Sequence, residues 1–218
     1  MQTSILRAAA VALVLAAVAS AAGAQEAAQA NVVKLGATYY TTHSKTNGIS
    51  GIGVPAGADA ETSNATTAIL VYERRVLPNI GIEFVIGAPP RIKAKATGSV
   101  AFLGDDVLSA RFIAPTLLLN YHFFAPTETL RPYLGAGINY TRFTSIRSSL
   151  APDVKMGDST GLVLQAGLDY ALTRNVGLFA SVAKLNVKSK VVASGATVLT
   201  TTVDFRPIVY SAGVSYRF

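Results

Sequence analysis

The chain contains no cysteine and no tryptophan, and it has little glutamate or lysine. Without cysteine it can form no disulfide framework, zinc ribbon or cysteine nucleophile. After residue 24, no segment approaches the roughly 20 consecutive apolar residues that a membrane-spanning helix requires. The scarcity of Glu and Lys, together with abundant Gly, Thr, Tyr, Val and Leu, argues against a helical bundle and favours β-strands.

What the chain does contain is mostly apolar. Its 218 residues are 50% hydrophobic, with a mean hydropathy of +0.40, which is high for a soluble protein. The length suits a single domain. The formal net charge is +7, but the basic residues are scattered rather than gathered into a stripe, so we predict no nucleic-acid partner.

The first 24 residues have the pattern of a secretory signal peptide. Arg7 supplies a positive start, residues 8–19 are nearly all Ala, Val and Leu, and Ala22-Gly23-Ala24 offers small residues at the cleavage site. An N-terminal membrane helix is the alternative, but the apolar segment is short for one. We therefore predict a signal peptide at 1–24 and a single exported domain at 25–218.

From residue 31 onward, apolar and polar residues alternate with a period of two. This pattern predicts eight strands, at residues 32–43, 65–75, 80–88, 111–123, 131–144, 159–172, 176–189 and 200–218. Three connections are short and carry turn residues, at 77–79, 124–130 and 173–175; the others, at 44–64, 89–110, 145–158 and 190–199, are long. Alternating short and long connections are typical of an up-and-down barrel with tight periplasmic turns and longer external loops.

One face of each predicted strand is apolar and the other is mixed. In the sixth strand, for example, Leu162, Leu164 and Leu168 alternate with Gln165 and Asp169. In a soluble β-sandwich the apolar face would form the core. In a membrane barrel it would face lipid, and the mixed face would line the lumen.

Three features favour the membrane barrel. The strands run to roughly 10 to 14 residues, which suits a tilted membrane crossing. The chain ends in Ser-Tyr-Arg-Phe, which resembles the C-terminal signal of bacterial outer-membrane barrels. Aromatic residues lie on the apolar faces near the turns, as in an interfacial girdle, at Tyr72, Tyr121, Phe123, Tyr170 and Tyr216. We therefore predict an all-β fold, an eight-stranded antiparallel up-and-down transmembrane β-barrel with a narrow lumen, in the bacterial outer membrane.

The inward phase of the strands gathers charges at the periplasmic ends. We call this set the charged plug: Lys34, Glu73, Glu83, His122, Asp169 and Arg217. In this set two formal positive charges face three negative ones, so they can largely neutralise one another, whereas an unpaired charge there would cost several kcal/mol.

Above the plug, the inward residues are mostly apolar. We call them the apolar lumen: Tyr40, Ile69, Val85, Leu118, Val163, Phe179, Leu185 and Val209. An eight-stranded barrel is just wide enough to be filled by side chains or to hold one small ligand. The set therefore has two interpretations: a pocket for a small hydrophobic molecule that leaves sideways through the wall, or the packed interior of a ligand-free barrel.

Several segments together resemble the OmpW family of outer-membrane proteins. They include VKLGATYY at 33–40, LPNIGIEFVIGAPP at 77–90, PTLLLNYHF at 115–123, LRPYLGAGINYTRF at 130–143 and VDFRPIVYSAGVSYRF at 203–218. The resemblance implies an eight-stranded barrel with a hydrophobic lumen that passes small hydrophobic compounds by a lateral route, and in some members loops that are recognised by phage or bacteriocins. The chain departs from the family in lacking tryptophan and in having Gly87-Ala88-Pro89-Pro90 where an aromatic residue more often follows the proline.

The sequence offers no convincing catalytic or metal site. His43 and His122 are the only histidines, and the predicted strands place them at opposite ends of the barrel, so we predict no enzyme, no metal and no cofactor. Ser44 is adjacent to His43, but neighbours on a strand point to opposite faces. The basic residues Arg91, Lys93 and Lys95 in the second long loop are candidates for contacts to lipopolysaccharide phosphates.

Two functions remain open from the sequence. The first is a narrow channel or carrier for small hydrophobic solutes, with outer-membrane lipid and lipopolysaccharide as its surroundings. The second is a structural or surface-recognition barrel with an inert lumen, whose external loops bind a phage, a bacteriocin or a host surface. A lipid-modifying enzyme is a distant third. The oligomeric state is not fixed by the sequence.

Overall fold

The computed structural model describes residues 30–41, 44–46, 55–149, 153–194 and 198–218. The predicted signal peptide at 1–24 and His43 lie outside these residues. The described residues form one short 3-10 turn, Ala101–Leu103, and fifteen β-strands: β1 (Asn31–Thr41), β2 (Ser44–Thr46), β3 (Ala58–Thr62), β4 (Ala65–Leu77), β5 (Ile80–Gly87), β6 (Arg91–Gly98), β7 (Leu108–Ile113), β8 (Thr116–His122), β9 (Leu130–Ser148), β10 (Asp153–Met156), β11 (Ser159–Ala171), β12 (Val176–Leu185), β13 (Val187–Ser194), β14 (Val198–Phe205) and β15 (Ile208–Arg217).

Eight of these strands form the wall of a closed antiparallel barrel. In order around the wall they are β1, β4, β5, β8, β9, β11, β12 and β15. The first and last strands close the cylinder by pairing with each other, from Val32 opposite Arg217 to Thr41 opposite Ile208. The predicted eight-stranded antiparallel barrel is confirmed. In the described part of the chain, no helix is long and apolar enough to cross a membrane.

Three wall strands are shorter than the alternation predicts. The predicted strand 111–123 is interrupted between β7 and β8 at Ala114-Pro115, and the predicted strand 200–218 is interrupted before β15 at Arg206-Pro207. Proline has no N–H to donate to a ladder, so each strand breaks there. The predicted strand 176–189 breaks at Asn186, whose N–H donates to the carbonyl of Leu162.

The long connections contain strands that the sequence does not reveal. In the second connection β6 pairs with β3 and with β7, and β7 pairs with the outer end of β9. Farther along, β13 pairs with β10 and β14 in a separate four-stranded sheet. The alternating alanines of β6 resemble a loop by composition, but they pack into a small apolar cluster, which comprises Ala58, Ala94, Ala96, Val100 and Val107.

The outer face of the wall is apolar and exposed. Leu162 and Leu164 on β11 are 67% and 65% exposed, while their inward neighbour Val163 is 1% exposed. An apolar surface that continues around the whole cylinder requires a lipid environment. Aromatic side chains border it near the periplasmic turns: Tyr121, Phe123, Phe124, Tyr170 and Tyr216. The lipid-facing phase therefore fixes which residues point into the lumen.

Candidate functional site

The periplasmic half of the lumen is organised around one buried lysine. The ammonium of Lys34 lies 3.1 Å from Glu73 Oε2, 3.4 Å from Glu83 Oε2 and 3.1 Å from Asp169 Oδ1. All four side chains are at most 4% exposed. Side chains from the β4–β5 hairpin and from the distant strand β11 thus converge on β1, because each strand presents its inward residue at the same depth.

A second set of contacts joins the carboxylates to a histidine and a glutamine. His122 Nε2 lies 2.6 Å from Glu73 Oε1, and Gln165 Nε2 donates to Glu83 Oε1 at 3.0 Å. The ring centroids of His122 and Tyr133 are 5.0 Å apart. Hydrogen bonds of this kind are what allow charged groups to persist in a buried position.

Glycines make room for the aromatic rings that flank Lys34. The ammonium lies 4.9 Å from the ring centroid of Tyr133 and 5.6 Å from that of Phe179. A Cβ at Gly167 would overlap the Tyr133 ring, and one at Gly36 would overlap the Phe179 ring and the backbone of Ala212. The cations, rings and carboxylates therefore fill the cross-section at this depth.

The structure brings five of the six charged-plug residues into one contact network. Lys34, Glu73, Glu83, His122 and Asp169 are linked by the contacts above. The sixth, Arg217, is 4% exposed and points inward, but it makes no ion pair with any carboxylate among the described residues.

Two inward arginines lie beside the charged plug and were not among its predicted residues. Arg131 shares the inward phase of Tyr133 on β9 and is completely buried, and Arg75 shares the inward phase of Glu73 on β4 and is partly buried. The expected balance of two cations against three carboxylates is therefore wrong. Four cations face three carboxylates. Arg131 and Arg75 could have been found from the sequence, because they share the inward phase already assigned to Tyr133 and Glu73.

Three plug residues also have the composition of a metal site. One ligand atom each from Glu73, His122 and Asp169 lie within 4.8 Å of one another, and all three residues are buried. The sequence did not anticipate this convergence. However, the Lys34 ammonium already lies 3.1 Å from both carboxylates, so the lysine supplies the positive charge that a cation would bring, and we assign no metal here.

Above the plug, the apolar-lumen residues pack together in two groups. Leu118, Val163, Leu185 and Val209 belong to one cluster, with Tyr40 and Val85 packed against it at the side. Phe179 lies lower than expected, in a separate cluster with Ile69 and Val71. Phe179 therefore borders the charged plug and does not line the upper pocket.

A small cavity lies between the two groups. It encloses about 50 Å³ and is lined by apolar side chains together with polar ones, namely Thr38, Tyr40, Ile69, Val85, Gly87, Ala114, Thr116, Leu118, Asn139, Val163, Gln165, Ala183, Leu185, Val209 and Ser211. A cavity that takes up benzene in another protein measures about 150 Å³. In this conformation the lumen is therefore narrower than an aromatic solute.

The wall beside this cavity has a gap in its hydrogen-bond ladder. Pairing between β5 and β8 ends at Val85 opposite Thr116, and pairing between β6 and β7 begins at Arg91 opposite Arg111. Segments 86–90 and 112–115 make no ladder pair with each other, and Pro89, Pro90 and Pro115 have no N–H to offer. We call these two segments the wall gap.

The wall gap adjoins the cavity, and hydrogen bonds from the neighbouring strand β9 hold one of its segments in place. Gly87 and Ala114 belong to the gap and line the cavity. The side chain of Asn139, which is 1% exposed, donates from Nδ2 to the carbonyls of Ala114 and Pro115 at 3.2 and 3.3 Å and to Thr116 Oγ1 at 2.8 Å. A buried amide on β9 thus satisfies backbone groups that the interrupted ladder leaves open.

Aromatic side chains close the lumen above the gap. The rings of Tyr40 and Phe112 meet edge to face with centroids 5.5 Å apart, and Phe112 lies 6.3 Å from Phe143. Tyr40 and Phe112 pack against the apolar cluster that surrounds the cavity. The cavity is therefore bounded by rings above and the charged plug below.

The basic residues of the second connection are engaged within their own hairpin. Lys93 pairs with Asp106 and Lys95 with Asp105, each at 2.7 Å. The hydrogen bond that Lys95 donates to the Asp105 carboxylate raises the pKa of Lys95. Arg91, the third of the predicted lipopolysaccharide contacts, is exposed and makes no ion pair within the described residues.

Comparison with known proteins identifies the family. The OmpW family profile matches residues 27–218. Outer membrane protein W of Vibrio cholerae is 32% identical over 148 residues, which cover 64% of this chain and 68% of that protein. The dibenzothiophene metabolism operon protein PahQ of Pseudomonas aeruginosa is 28% identical over 142 residues, 65% of each chain.

The solved structures agree with the fold. The crystal structure of the outer membrane protein OprG from Pseudomonas aeruginosa superposes with a TM-score of 0.80 at 24% identity, covering 88% of this chain and 96% of that one. The relative from Vibrio cholerae is an outer membrane protein of the same family, which places this barrel in the outer membrane. The chain belongs to the OmpW family.

Proposed function

We propose that the barrel carries small hydrophobic molecules from the cell exterior into its lumen and releases them sideways through the wall gap into the outer membrane. The observation that carries this proposal is that the cavity and the gap share residues, since Gly87 and Ala114 belong to both. A solute in the cavity would therefore meet a stretch of wall where no ladder hydrogen bond must break for it to pass.

The charged plug supports a lateral exit over an axial one. Below the cavity the lumen is filled by Lys34 and the three carboxylates that contact it. An apolar molecule passing through would separate buried ion pairs, and breaking such a pair costs about 3–5 kcal/mol. Moving sideways takes the same molecule past apolar side chains and uncharged polar groups such as Thr116 and Asn139, and then into acyl chains, without separating an ion pair.

The small size of the cavity means that passage requires widening. A volume of about 50 Å³ holds a few water molecules but not a ring-sized solute. The wall gap supplies the freedom to widen, because segments 86–90 and 112–115 are not joined by ladder hydrogen bonds. The relative PahQ, named for a dibenzothiophene metabolism operon, is consistent with apolar aromatic cargo for this fold.

Uptake by whole cells tests the proposal. Leu118→Asp places a carboxylate in the cavity wall, where Leu118 is 2% exposed, and it should abolish uptake of a small apolar dye. Leu118→Met, which conserves volume and polarity, should take up dye at nearly the wild-type rate. Both variants are checked for folding by the heat-dependent shift of barrel proteins on denaturing gels. Wild-type uptake by folded Leu118→Asp would mean that the cavity is only packing.

A recognition role for the loops has one specific observation in its favour. Phe102, in the 3-10 turn at the tip of the β6–β7 hairpin, is 80% exposed. A large apolar side chain in that position is a candidate contact for a partner outside the cell. Phe102→Ser would remove such binding while leaving dye uptake unchanged, which separates this role from transport.

A further inference from the structure

The lumen below the cavity carries one more positive charge than negative. Its cations are Lys34 and the three inward arginines, Arg75, Arg131 and Arg217, and its carboxylates are Glu73, Glu83 and Asp169. All three carboxylates lie within 3.4 Å of the Lys34 ammonium. Among the described residues, the short contacts to these carboxylates come from Lys34, His122 and Gln165, and no ion pair joins them to an arginine.

Two of these arginines, Arg75 and Arg131, have buried N–H donors that lack a hydrogen-bond acceptor. Arg131 is completely buried, and its Nε and Nη2 donate to the carbonyls of Phe124 and Pro78. Its Nη1 has no partner, and neither does Nε of Arg75. A buried charged donor left unpaired costs more than the roughly 1–3 kcal/mol of a neutral one.

The three guanidinium groups also share one region of the lumen. Arg131 reaches from β9 to the carbonyl of Pro78, in the turn that follows Arg75. Arg75 lies within electrostatic range of Arg131 and Arg217, and the like charges oppose one another. The hydroxyl of Ser215, two residues before Arg217 on the same inward face, is buried without a partner. Glu73 and Asp169 attract Arg75 and Arg131 electrostatically, but Nη1 of Arg131 and Nε of Arg75 make no hydrogen bond to a group of the described chain.

The position opens toward the periplasm and not toward lipid. Arg75 is partly exposed at the periplasmic end of β4, whereas Arg131 and Arg217 are buried behind it. The outward neighbour Arg74 points to the opposite face, where it donates to Asn31 Oδ1 at 3.4 Å. The terminal carboxylate of Phe218 forms no ion pair with these arginines within the described residues. A ligand here therefore arrives from solution and is not a lipid headgroup.

We propose that Arg75, Arg131 and Arg217, with the hydroxyl of Ser215, form a binding site for one small oxyanion, of the phosphate or carboxylate class, at the periplasmic end of the lumen. The anion would neutralise the excess charge and accept from Nη1 of Arg131 and Nε of Arg75. Guanidinium groups suit this role because their fork of donors matches the oxygens of phosphate and carboxylate. The site does not depend on the transport role.

Titration of the whole barrel with inorganic phosphate tests the site. Residues 25–218, folded in a nonionic detergent that contains no phosphate, are titrated while the arginine Nε–Hε signals are followed by NMR. We expect saturable shifts of the Arg131 signal. Arg75→Gln should weaken phosphate binding at least tenfold, whereas Arg174→Gln, which changes an exposed arginine in a periplasmic turn, should bind as the wild type does.

Three results would overturn the proposal. The first is the absence of saturable shifts, which would leave water as the partner of these donors. The second is an unchanged affinity in Arg75→Gln, and the third is an equal response to sodium chloride at matched ionic strength, which would mean screening rather than binding. Arg131→Gln is not needed for the decision, because that buried substitution could prevent folding. Acetate titrated alongside phosphate separates the two anion classes.

Discussion

The side chains of Glu73 and His122 meet inside the lumen, across the strand that separates their own two strands in the wall. Glu73 lies on β4 and His122 on β8, with β5 between them in the wall, yet Oε1 and Nε2 are 2.6 Å apart. The space that this contact needs is provided by Gly81 on β5, since a Cβ there would overlap Glu73 Oε1. One glycine thus permits a hydrogen bond across two strand spacings.

Gly81→Ala should therefore destabilise the barrel through Glu73. The added methyl group displaces the carboxylate from His122 and Lys34, and we expect the free energy of unfolding to fall by about 1–3 kcal/mol. Gly87→Ala is the matched control on the same strand, because its Cβ would lie 3.4 Å from the nearest atom, Ala68 O. It should leave stability unchanged or raise it by less than about 1 kcal/mol. Urea unfolding followed by circular dichroism makes the comparison, and equal losses in both variants would contradict it.

Lys34→Met should be among the most damaging single substitutions in the lumen. It leaves Glu73, Glu83 and Asp169 close together without their shared cation, and removing one partner of a buried pair costs about 3–5 kcal/mol. Adding Glu83→Gln to this variant removes one of the three negative charges and should restore part of the loss. Lys184→Met, on the outer face of β12 where the lysine is exposed, should change stability little. A double variant no more stable than Lys34→Met would argue against charge as the cause.

Ala183→Leu tests the cavity without adding charge. Ala183 lines the cavity and is 8% exposed, so a leucine there fills most of its 50 Å³. We expect uptake of a small apolar dye to fall at least tenfold, with overpacking costing about 1–3 kcal/mol of stability. Ala180→Leu makes the same change on the lipid-facing side of β12 and should leave uptake unaltered. Equal uptake by the two variants would show that solutes do not use this cavity.

The alternation of apolar and polar residues predicts the barrel wall well, because each residue of a strand can face only the lipid or the lumen. Once Leu162 and Leu164 face lipid, Val163, Gln165 and Asp169 must face the lumen, and they do. The same rule assigns Arg131 and Arg75 to the inward face, although the predicted charged plug did not include them. Pro115 and Pro207 likewise mark strand breaks that an uninterrupted alternation conceals.

The contacts inside the lumen could not be predicted from the pattern. Lys34 and Asp169 are 135 residues apart, and their meeting depends on the stagger of every strand between them. A phase assignment says that both point inward but not that they share a depth. The position of Phe179 beside Lys34, lower than expected, has the same cause.

The most direct measurement of the central claim locates a small apolar solute inside the folded barrel. Benzene is added to the protein in deuterated detergent, and its nuclear Overhauser contacts to protein protons are recorded. A sideways route from the cavity predicts contacts with the methyl groups of Leu118 and Val163 and with Gly87 at the wall gap, and none with His122 in the charged plug. Contacts confined to lipid-facing residues such as Leu117 and Leu119, or contacts that continue through the plug to His122, would contradict it.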